Sequence, residues 1–241
     1  MMIEKVTDIK QFDGFEKQDI YSIRIMSLIK AYGCGYDFAS FYRQLDENKR
    51  ITAILSRLDH DFTLCMGNDA DAEEICPFLK AIGYSTVLAD SSFEFGDSFN
   101  QGVAMSSDKK LEIPCPYADM DRFPKLMELF NFVDYDTLDF ESWYVDISHR
   151  IRHGCARAYT LNINGEIVSS GIFSSIYHDS AVLSAVRTSP AFRGMGYGSA
   201  LVSEMVSDIK GTVYLMREEN LNEHFYKGLG FKNIGKWRMY K

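Results

Sequence analysis

The sequence predicts an α/β protein built from two similar halves. Segments with the alternating apolar pattern of strands are interspersed with segments that have the three- and four-residue spacing of amphipathic helices. In each half of the 241-residue chain the predicted order is hairpin, strand, helix and strand. This repeat favours an internal duplication in which the second copy is complete and the first is reduced. The alternative is that so common an order occurs twice by chance.

The first half opens with an amphipathic helix over residues 20–32, which Gly33 ends. Two apolar runs, 40–45 and 51–55, flank a polar turn and predict a hairpin. The other predicted elements of this half are a strand over 61–66, a helix over 71–82 that Gly83 ends, and a strand over 85–89.

A boundary between two domains is predicted near residues 93–101, where turn residues occur without a clear period. We therefore expect one domain over 1–100 and a second over 101–241. The elements predicted in the second domain are helices near 124–130 and over 139–153, after an irregular stretch that contains Pro114, Pro116 and Pro124, then a hairpin of 158–163 and 166–173 joined by Asn164-Gly165, a strand over 180–188, a helix over 197–209, a strand over 212–216 and a short helix over 221–229.

The charge of the chain argues against nucleic acid as a partner. Lys and Arg number 26 and Asp and Glu 34, so the net charge is −8, whereas nucleic-acid binding depends on neutralising phosphates. The charge is uneven, because residues 187–241 contain nine basic and five acidic residues, a net of +4. This local excess is consistent with a small anionic ligand near the C-terminal end, or with a solvated charged face.

Targeting, membrane and metal signals are absent from the sequence. The first residues have no apolar run of the length a signal peptide needs, and no stretch approaches ~18 consecutive apolar residues. Five histidines show no ligand spacing. The five cysteines are scattered without a CxxC pair and predict reduced thiols: Cys34, Cys65, Cys76, Cys115 and Cys155. We therefore expect a cytoplasmic protein with no metal and no membrane partner.

The most informative segment follows the strand over 180–188. After Pro190, three alternating glycines at Gly194, Gly196 and Gly198 lead directly into a helix. Without Cβ atoms, successive backbone N–H groups can converge on one point, and the helix start adds a partial positive charge, which favours a pyrophosphate. A P-loop needs a lysine after its last glycine, where this chain has Ser199. A dinucleotide fingerprint would need its third glycine at the same Ser199.

A more specific pattern is Arg193-x-x-Gly196-x-Gly198, preceded by a proline and opening a helix. It is followed by the strand Val213-Tyr214-Leu215-Met216 and the run Tyr226-Lys227-Gly228-Leu229-Gly230-Phe231. In this order the motifs resemble those of the GNAT superfamily of N-acetyltransferases, over residues 103–241. The loop and the final Leu-Gly-Phe look most like the glycine N-acyltransferase-like branch.

The resemblance implies a fold and a function. The fold is a mixed, mostly antiparallel central sheet flanked by helices, in two tandem GNAT-like units of which the first is degenerate. The function is direct transfer of an acetyl group from acetyl-CoA to a primary amine of a small molecule. The resemblance leaves the acceptor and the oligomeric state open.

The resemblance also implies residues that bind acetyl-CoA, with the amide of Val186 directed at the thioester oxygen. The family's asparagine, seven residues before its tyrosine, falls here on Glu219, and we assign its role to the adjacent Asn220, with Asn222 also nearby. The predicted acetyl-CoA-binding residues are Val186, Arg187, Thr188, Arg193, Gly194, Met195, Gly196, Tyr197, Gly198, Ser199 and Asn220. A tight strand-to-helix connection without a ligand is the alternative for the glycines.

The predicted catalytic residue is Tyr226, which occupies the position of the family's general acid and would protonate the departing thiolate. The alternative is that its ring packs in the core beside Phe225 and Phe231. The general base stays open, since a chain of ordered water serves in many such enzymes. The candidates are Glu141, Asp146, His149, His153, His178 and Glu219.

Two other functions remain compatible with the sequence. One is a catalytically silent CoA-binding or sensory module, and the other is transfer of an acyl group longer than acetyl. In either case we expect the first half not to bind CoA. Its corresponding segment, residues 67–74, has one glycine and four acidic residues, which would repel a pyrophosphate.

Overall fold

The structure is a computed structural model that describes residues 2–111, 113–114, 118–135 and 138–241. Cys115 and Pro116, singled out in the sequence, lie outside the described residues. The chain divides into two compact units. The first contains the chain up to Ala104 with Arg217–Glu219 and Ile234–Lys241, and the second contains Met105–Met216 and Asn220–Asn233.

The first unit is a mixed sheet with two helices. Its strands lie in the order β1, β2, β3, β4, β5, β12; neighbouring strands pair antiparallel, except that β4 and β5 pair in parallel. Its elements are β1 (Met2–Lys5), α1 (Ile20–Tyr32), β2 (Ala39–Leu45), β3 (Ile51–Leu58), β4 (Asp61–Met66), α2 (Ala72–Ile82), β5 (Thr86–Asp90), most of β6 (Phe99–Ser107) and most of β12 (Lys232–Tyr240).

The C-terminal strand completes the core of the first unit. Residues 237–240 of β12 pair antiparallel with 87–90 of β5. The ring of Tyr240 is 99% buried, and its centroid lies 6.2 Å from that of Phe93 and 5.8 Å from that of Phe95. The Tyr240 hydroxyl donates a hydrogen bond to the carbonyl of Phe93. Most of β12 therefore belongs to the first unit, although the other strands of that unit lie more than 100 residues earlier in the sequence.

The second unit is also a mixed sheet with helices on both faces. Its strands lie in the order β11, β10, β9, β8, β7, with the end of β6 beside β11. Its elements are β7 (Asp119–Asp121), α3 (Leu126–Val133), α4 (Phe140–Arg152), β8 (Arg157–Ile163), β9 (Glu166–Tyr177), β10 (Ser180–Thr188), α5 (Tyr197–Ser207), most of β11 (Val213–Glu218) and α6 (Glu223–Gly228).

The two faces of the second sheet have different partners. Helices α3 and α4 cover one face through an apolar cluster that includes Leu129, Ile147 and Ile172. Helix α5 covers the other face, where Gly171 of β9 leaves room for Met205, since a Cβ there would lie 2.6 Å from the Met205 sulfur. Within the described residues, no helix is long and apolar enough to cross a bilayer.

The predicted fold class, a mixed and mostly antiparallel sheet flanked by helices, is confirmed. The predicted helices and hairpins are all present, with ends that shift by a few residues. Four strands went unpredicted, namely β1, β6, β7 and β12. The four described cysteines form no disulfide; Cys65 and Cys155 are buried, and Cys34 and Cys76 partly so.

Candidate functional site

The site begins where β10 separates from β11. The two strands pair in parallel only over 181–183 and 213–215. Beyond this point β10 contains a bulge, because Ser184 pairs with Ile172 of β9 and the next pair joins Arg187 to Ser170. Ala185, within the bulge, has a φ of 50°, a left-handed conformation that L-residues adopt at a cost. The end of β10 therefore diverges from its parallel neighbour.

The loop after β10 contains the alternating glycines. A short 3-10 turn over Pro190–Phe192 leads into Gly194 and Gly196, whose φ angles are 77° and 89°. Both are left-handed conformations that glycine adopts without strain. Nothing lies within 4 Å of a Cβ at either position, so the space above the backbone is open.

Helix α5 starts at this loop without a side-chain cap. Gly196 is its N-cap residue, and the first helical bond runs from the Ala200 amide to the Gly196 carbonyl at 2.9 Å. The preceding amides of α5 have no acceptor within the helix. Together with the helix dipole they form a site suited to an anion.

These elements surround a cavity of about 540 Å³ in the second unit. It is lined by ten of the twelve predicted site residues and by Phe192, Asn222 and Phe225. The ten predicted residues are Val186, Arg187, Thr188, Arg193, Gly194, Gly196, Tyr197, Gly198, Ser199 and Tyr226. Met195 and Asn220 are not among the residues that line it, and the Met195 side chain is 66% exposed.

The described lining of this cavity contains two arginines and no carboxylate. Arg193 is exposed, and its Nε donates to the Thr188 carbonyl at 3.2 Å. The Arg187 guanidinium donates to the carbonyl of Val133 and lies 3.5 Å from the Asp134 carboxylate. The Arg187 guanidinium is thus held against the end of α3, whereas the positive charge of Arg193 lies beside the glycine loop. The lining favours a negatively charged ligand.

Tyr226 projects from α6 towards the same cavity. Its ring lies 5.0 Å from Phe225 and 5.7 Å from Phe231 between centroids, in edge-on geometry. Burial raises the pKa of Tyr226 to about 12, because the phenolate loses solvation there. The hydroxyl therefore carries its proton at neutral pH, which is the form a general acid needs. Tyr226 therefore both packs against Phe225 and Phe231 and lines the cavity.

Asn222 is a site residue that motif spacing did not single out. It precedes α6 with a φ of 58° and lines the cavity, whereas Asn220 does not. Asn is among the few residues that adopt this left-handed conformation readily. That preference is a signal in the sequence, since Asn222 stands immediately before the helix that carries Tyr226.

None of the candidate bases is among the described residues that line the cavity. Asp146 forms an ion pair with Arg150 at 2.7 Å. The rings of His149 and His153 are adjacent on α4, with centroids 4.2 Å apart. Across the described ranges, no group of three His, Cys, Asp or Glu side chains is placed to hold a metal ion.

Comparison with known proteins adds to this geometry. Residues 120–231 match the family model described as the acetyltransferase (GNAT) family, and this range contains β10, the glycine loop, α5 and Tyr226. The chain has the GNAT acetyltransferase fold. No curated protein sequence gives a significant match to the chain.

Solved structures match this chain along nearly its whole length. A GCN5-related N-acetyltransferase from Kribbella flavida is 10% identical, with a TM-score of 0.60, over 91% of this chain and 93% of that one. A Drosophila protein is 10% identical, with a TM-score of 0.68, over 99% and 98%. A tandem GNAT protein from the clavulanic acid biosynthesis pathway is 10% identical, with a TM-score of 0.58, over 99% and 97%.

Proposed function

We propose that this protein is an N-acetyltransferase that transfers an acetyl group from acetyl-CoA directly to a primary amine of a small molecule. The observation that carries the proposal is the uncapped start of α5 beside two left-handed glycines, in one cavity with the protonated hydroxyl of Tyr226. The match of residues 120–231 to the acetyltransferase (GNAT) family supports it.

The residues of the loop would bind the donor. Backbone amides at the start of α5 suit the pyrophosphate, and Arg193 adds a positive charge beside them. The diverging end of β10 leaves the backbone of Val186, Arg187 and Thr188 beside the cavity, where the pantetheine amides can pair with it as an added strand does. The amide of Val186 would polarise the thioester carbonyl.

The chemistry then needs two proton movements. The amine nitrogen bonds to the carbonyl carbon, the carbon–sulfur bond breaks, and the sulfur receives the proton of Tyr226. After the attack, the bonded nitrogen carries one proton more than the amide product and loses it to water. The Tyr226 oxygen then takes up a proton from water. Water is assigned the second movement because the described lining contains neither a carboxylate nor an imidazole.

The first unit supports the assignment of a single donor site. In the first unit, α2 corresponds to α5, since it also follows a strand. The first amides of α2 already have a hydrogen-bond acceptor within the protein. The Asp71 carboxylate accepts from the amides of Glu73 and Glu74 at 2.9 and 3.2 Å. A cavity of about 720 Å³ beside this segment is lined by both signs of charge, with Glu16 and Asp69 among its acids and Lys49 among its bases. We propose that this half is a GNAT-like unit that does not bind CoA.

The test is release of free thiol from acetyl-CoA, followed with a thiol reagent over a panel of primary amines. Acceptor-dependent release with the wild-type protein, and loss of it in Gly196→Asp, is the expected result. Binding of acetyl-CoA without release on any amine would overturn the enzymatic part of the proposal and leave a silent CoA-binding module. Release with butyryl-CoA but not with acetyl-CoA would overturn the choice of donor.

A further inference from the structure

Three lysines converge on a second cavity of the second unit. This cavity, which we call the lysine cavity, has a volume of about 440 Å³. Its described lining contains no acidic residue and consists of Lys109, Lys227, Gly230, Phe231, Lys232 and Asn233. A concave surface lined by one sign of charge concentrates the field and attracts counter-ions.

The lysines come from three separate segments. Lys109 follows β6, Lys227 is in the last turn of α6, and Lys232 is the first residue of β12. Favourable interaction with the C-terminal end of a helix accounts for Lys227 alone. Lys227 is also paired with Glu223 at 2.6 Å. In the described part of the chain, Lys109 and Lys232 make no ion pair. No acidic side chain among the described residues therefore compensates the like charges of Lys109 and Lys232.

The backbone is shaped to admit Lys109. Gly230 has a φ of 84°, and a Cβ there would lie 3.2 Å from the Lys109 Cδ atom. The bare glycine thus lets the lysine stem pass close to the turn after α6. Phe231, 98% buried, fixes that turn in the core. This close approach brings the Lys109 side chain to the turn that also contributes Gly230 and Phe231 to the lining of the cavity.

We propose that the lysine cavity binds a phosphate monoester dianion. Lysine ammonium groups suit such a ligand because each is a compact point charge with three donors. Two sources supply this chemistry. One is the ribose 3′-phosphate of coenzyme A, an alternative that rests on the proposed function. Helix α6 favours this source, because its Phe225 lines the 540 Å³ cavity proposed for acetyl-CoA and its Lys227 lines the lysine cavity. The other is the phosphate group of a separate metabolite.

The first experiment compares acetyl-CoA with 3′-dephospho-acetyl-CoA by isothermal titration calorimetry. The variants are Lys109→Ala and Lys232→Ala, and Lys110→Ala is the matched control, since Lys110 is exposed, adjacent and outside the lining. If the cavity holds the 3′-phosphate, each variant raises the Kd for acetyl-CoA about fivefold and leaves that for the dephospho form unchanged. The control changes neither.

The second experiment titrates inorganic phosphate and records amide shifts of Gly230 and Lys232 by NMR. Two results together would assign the cavity to a separate phosphate ligand. Phosphate causes saturable shifts in the wild type that Lys109→Ala abolishes, and the lysine variants change the Kd values for both cofactor forms equally. This readout does not depend on CoA binding, so it decides the proposal even if the wild type fails to bind acetyl-CoA. Absence of a cofactor difference and of saturable phosphate shifts would overturn the proposal.

Discussion

Gly198 lies so close to Thr188 that a Cβ atom on Gly198 would stand 2.8 Å from the Thr188 hydroxyl oxygen. That hydroxyl is held in turn by the Ser169 hydroxyl at 3.0 Å. The end of β10 and the first turn of α5 can therefore pack this closely because Gly198 has no side chain. This approach places the first amides of α5 at the wall of the 540 Å³ cavity, beside the backbone of β10.

Gly198→Ala should displace the first turn of α5 from β10. Overpacking of this kind costs about 1–3 kcal/mol of unfolding free energy, and the shifted amides should raise the Kd for acetyl-CoA. Urea unfolding and calorimetric titration measure the two effects. The matched variant combines Gly198→Ala with Thr188→Ala, which removes the obstructing hydroxyl. Failure of the second change to restore stability would show that the close contact is not the cause.

Tyr226→Phe should bind acetyl-CoA with little change in Kd but transfer the acetyl group about a hundredfold more slowly. The ring keeps its contacts with Phe225 and Phe231, while the proton for the departing thiolate is lost. Steady-state rates with the best amine of the panel provide the measurement. An enzyme that retained full turnover would rule out the general-acid role.

Tyr226→Phe should also change how the unfolding free energy depends on pH above pH 10. The pKa of Tyr226 is raised from 10.0 to about 12 in the folded protein. Below pH 10 the phenol is protonated in both states, whereas between pH 10 and 12 the unfolded chain loses the proton first, so stability falls as pH rises. The difference in unfolding free energy between wild type and Tyr226→Phe should change by about 2 kcal/mol across this window. A constant difference would contradict the burial of this hydroxyl.

Tyr240→Ala should destabilise the first unit by about 3–5 kcal/mol, as loss of a large buried ring does. Tyr240 is the penultimate residue of the chain, and it packs on Phe93 and Phe95. Tyr240→Phe is the control, because it keeps the ring and loses only the hydrogen bond to the Phe93 carbonyl. Chemical unfolding measures both. A cost below 1 kcal/mol for Tyr240→Ala would show that the C-terminal strand is dispensable for this core.

The sequence predicted the fold where the pattern is local. Helix α1 has a clear apolar period with an Asp19 cap and a stop at Gly33, and the β8–β9 hairpin has its Asn164-Gly165 turn. The missed strands depend on distant partners instead. β7 is three residues with two aspartates, and β12 is rich in charge and pairs with β5 more than 140 residues earlier. Such pairing is invisible in a local pattern.

The glycines of the candidate site could be predicted because the need for a bare backbone at a helix start restricts the residue type. Ten of the twelve predicted residues line one cavity. Phe192 and Phe225 had no comparable signal, since an aromatic residue next to a loop is commonly part of the core. Asn222 replaces Asn220 in the lining because the turn before α6 brings the left-handed residue, and not the one two positions earlier, to the cavity.

The most direct test of the account is calorimetric titration of acetyl-CoA into the wild type and Gly196→Asp. Gly196 is the uncapped N-cap of α5, so the new carboxylate would lie where the pyrophosphate is expected. Gly96→Asp is the control, since Gly96 has a similar φ of 82° and the same open surroundings. We predict one acetyl-CoA bound per chain, a Kd raised more than about tenfold in Gly196→Asp, and no change in Gly96→Asp. Equal affinity in the wild type and Gly196→Asp would contradict the donor site.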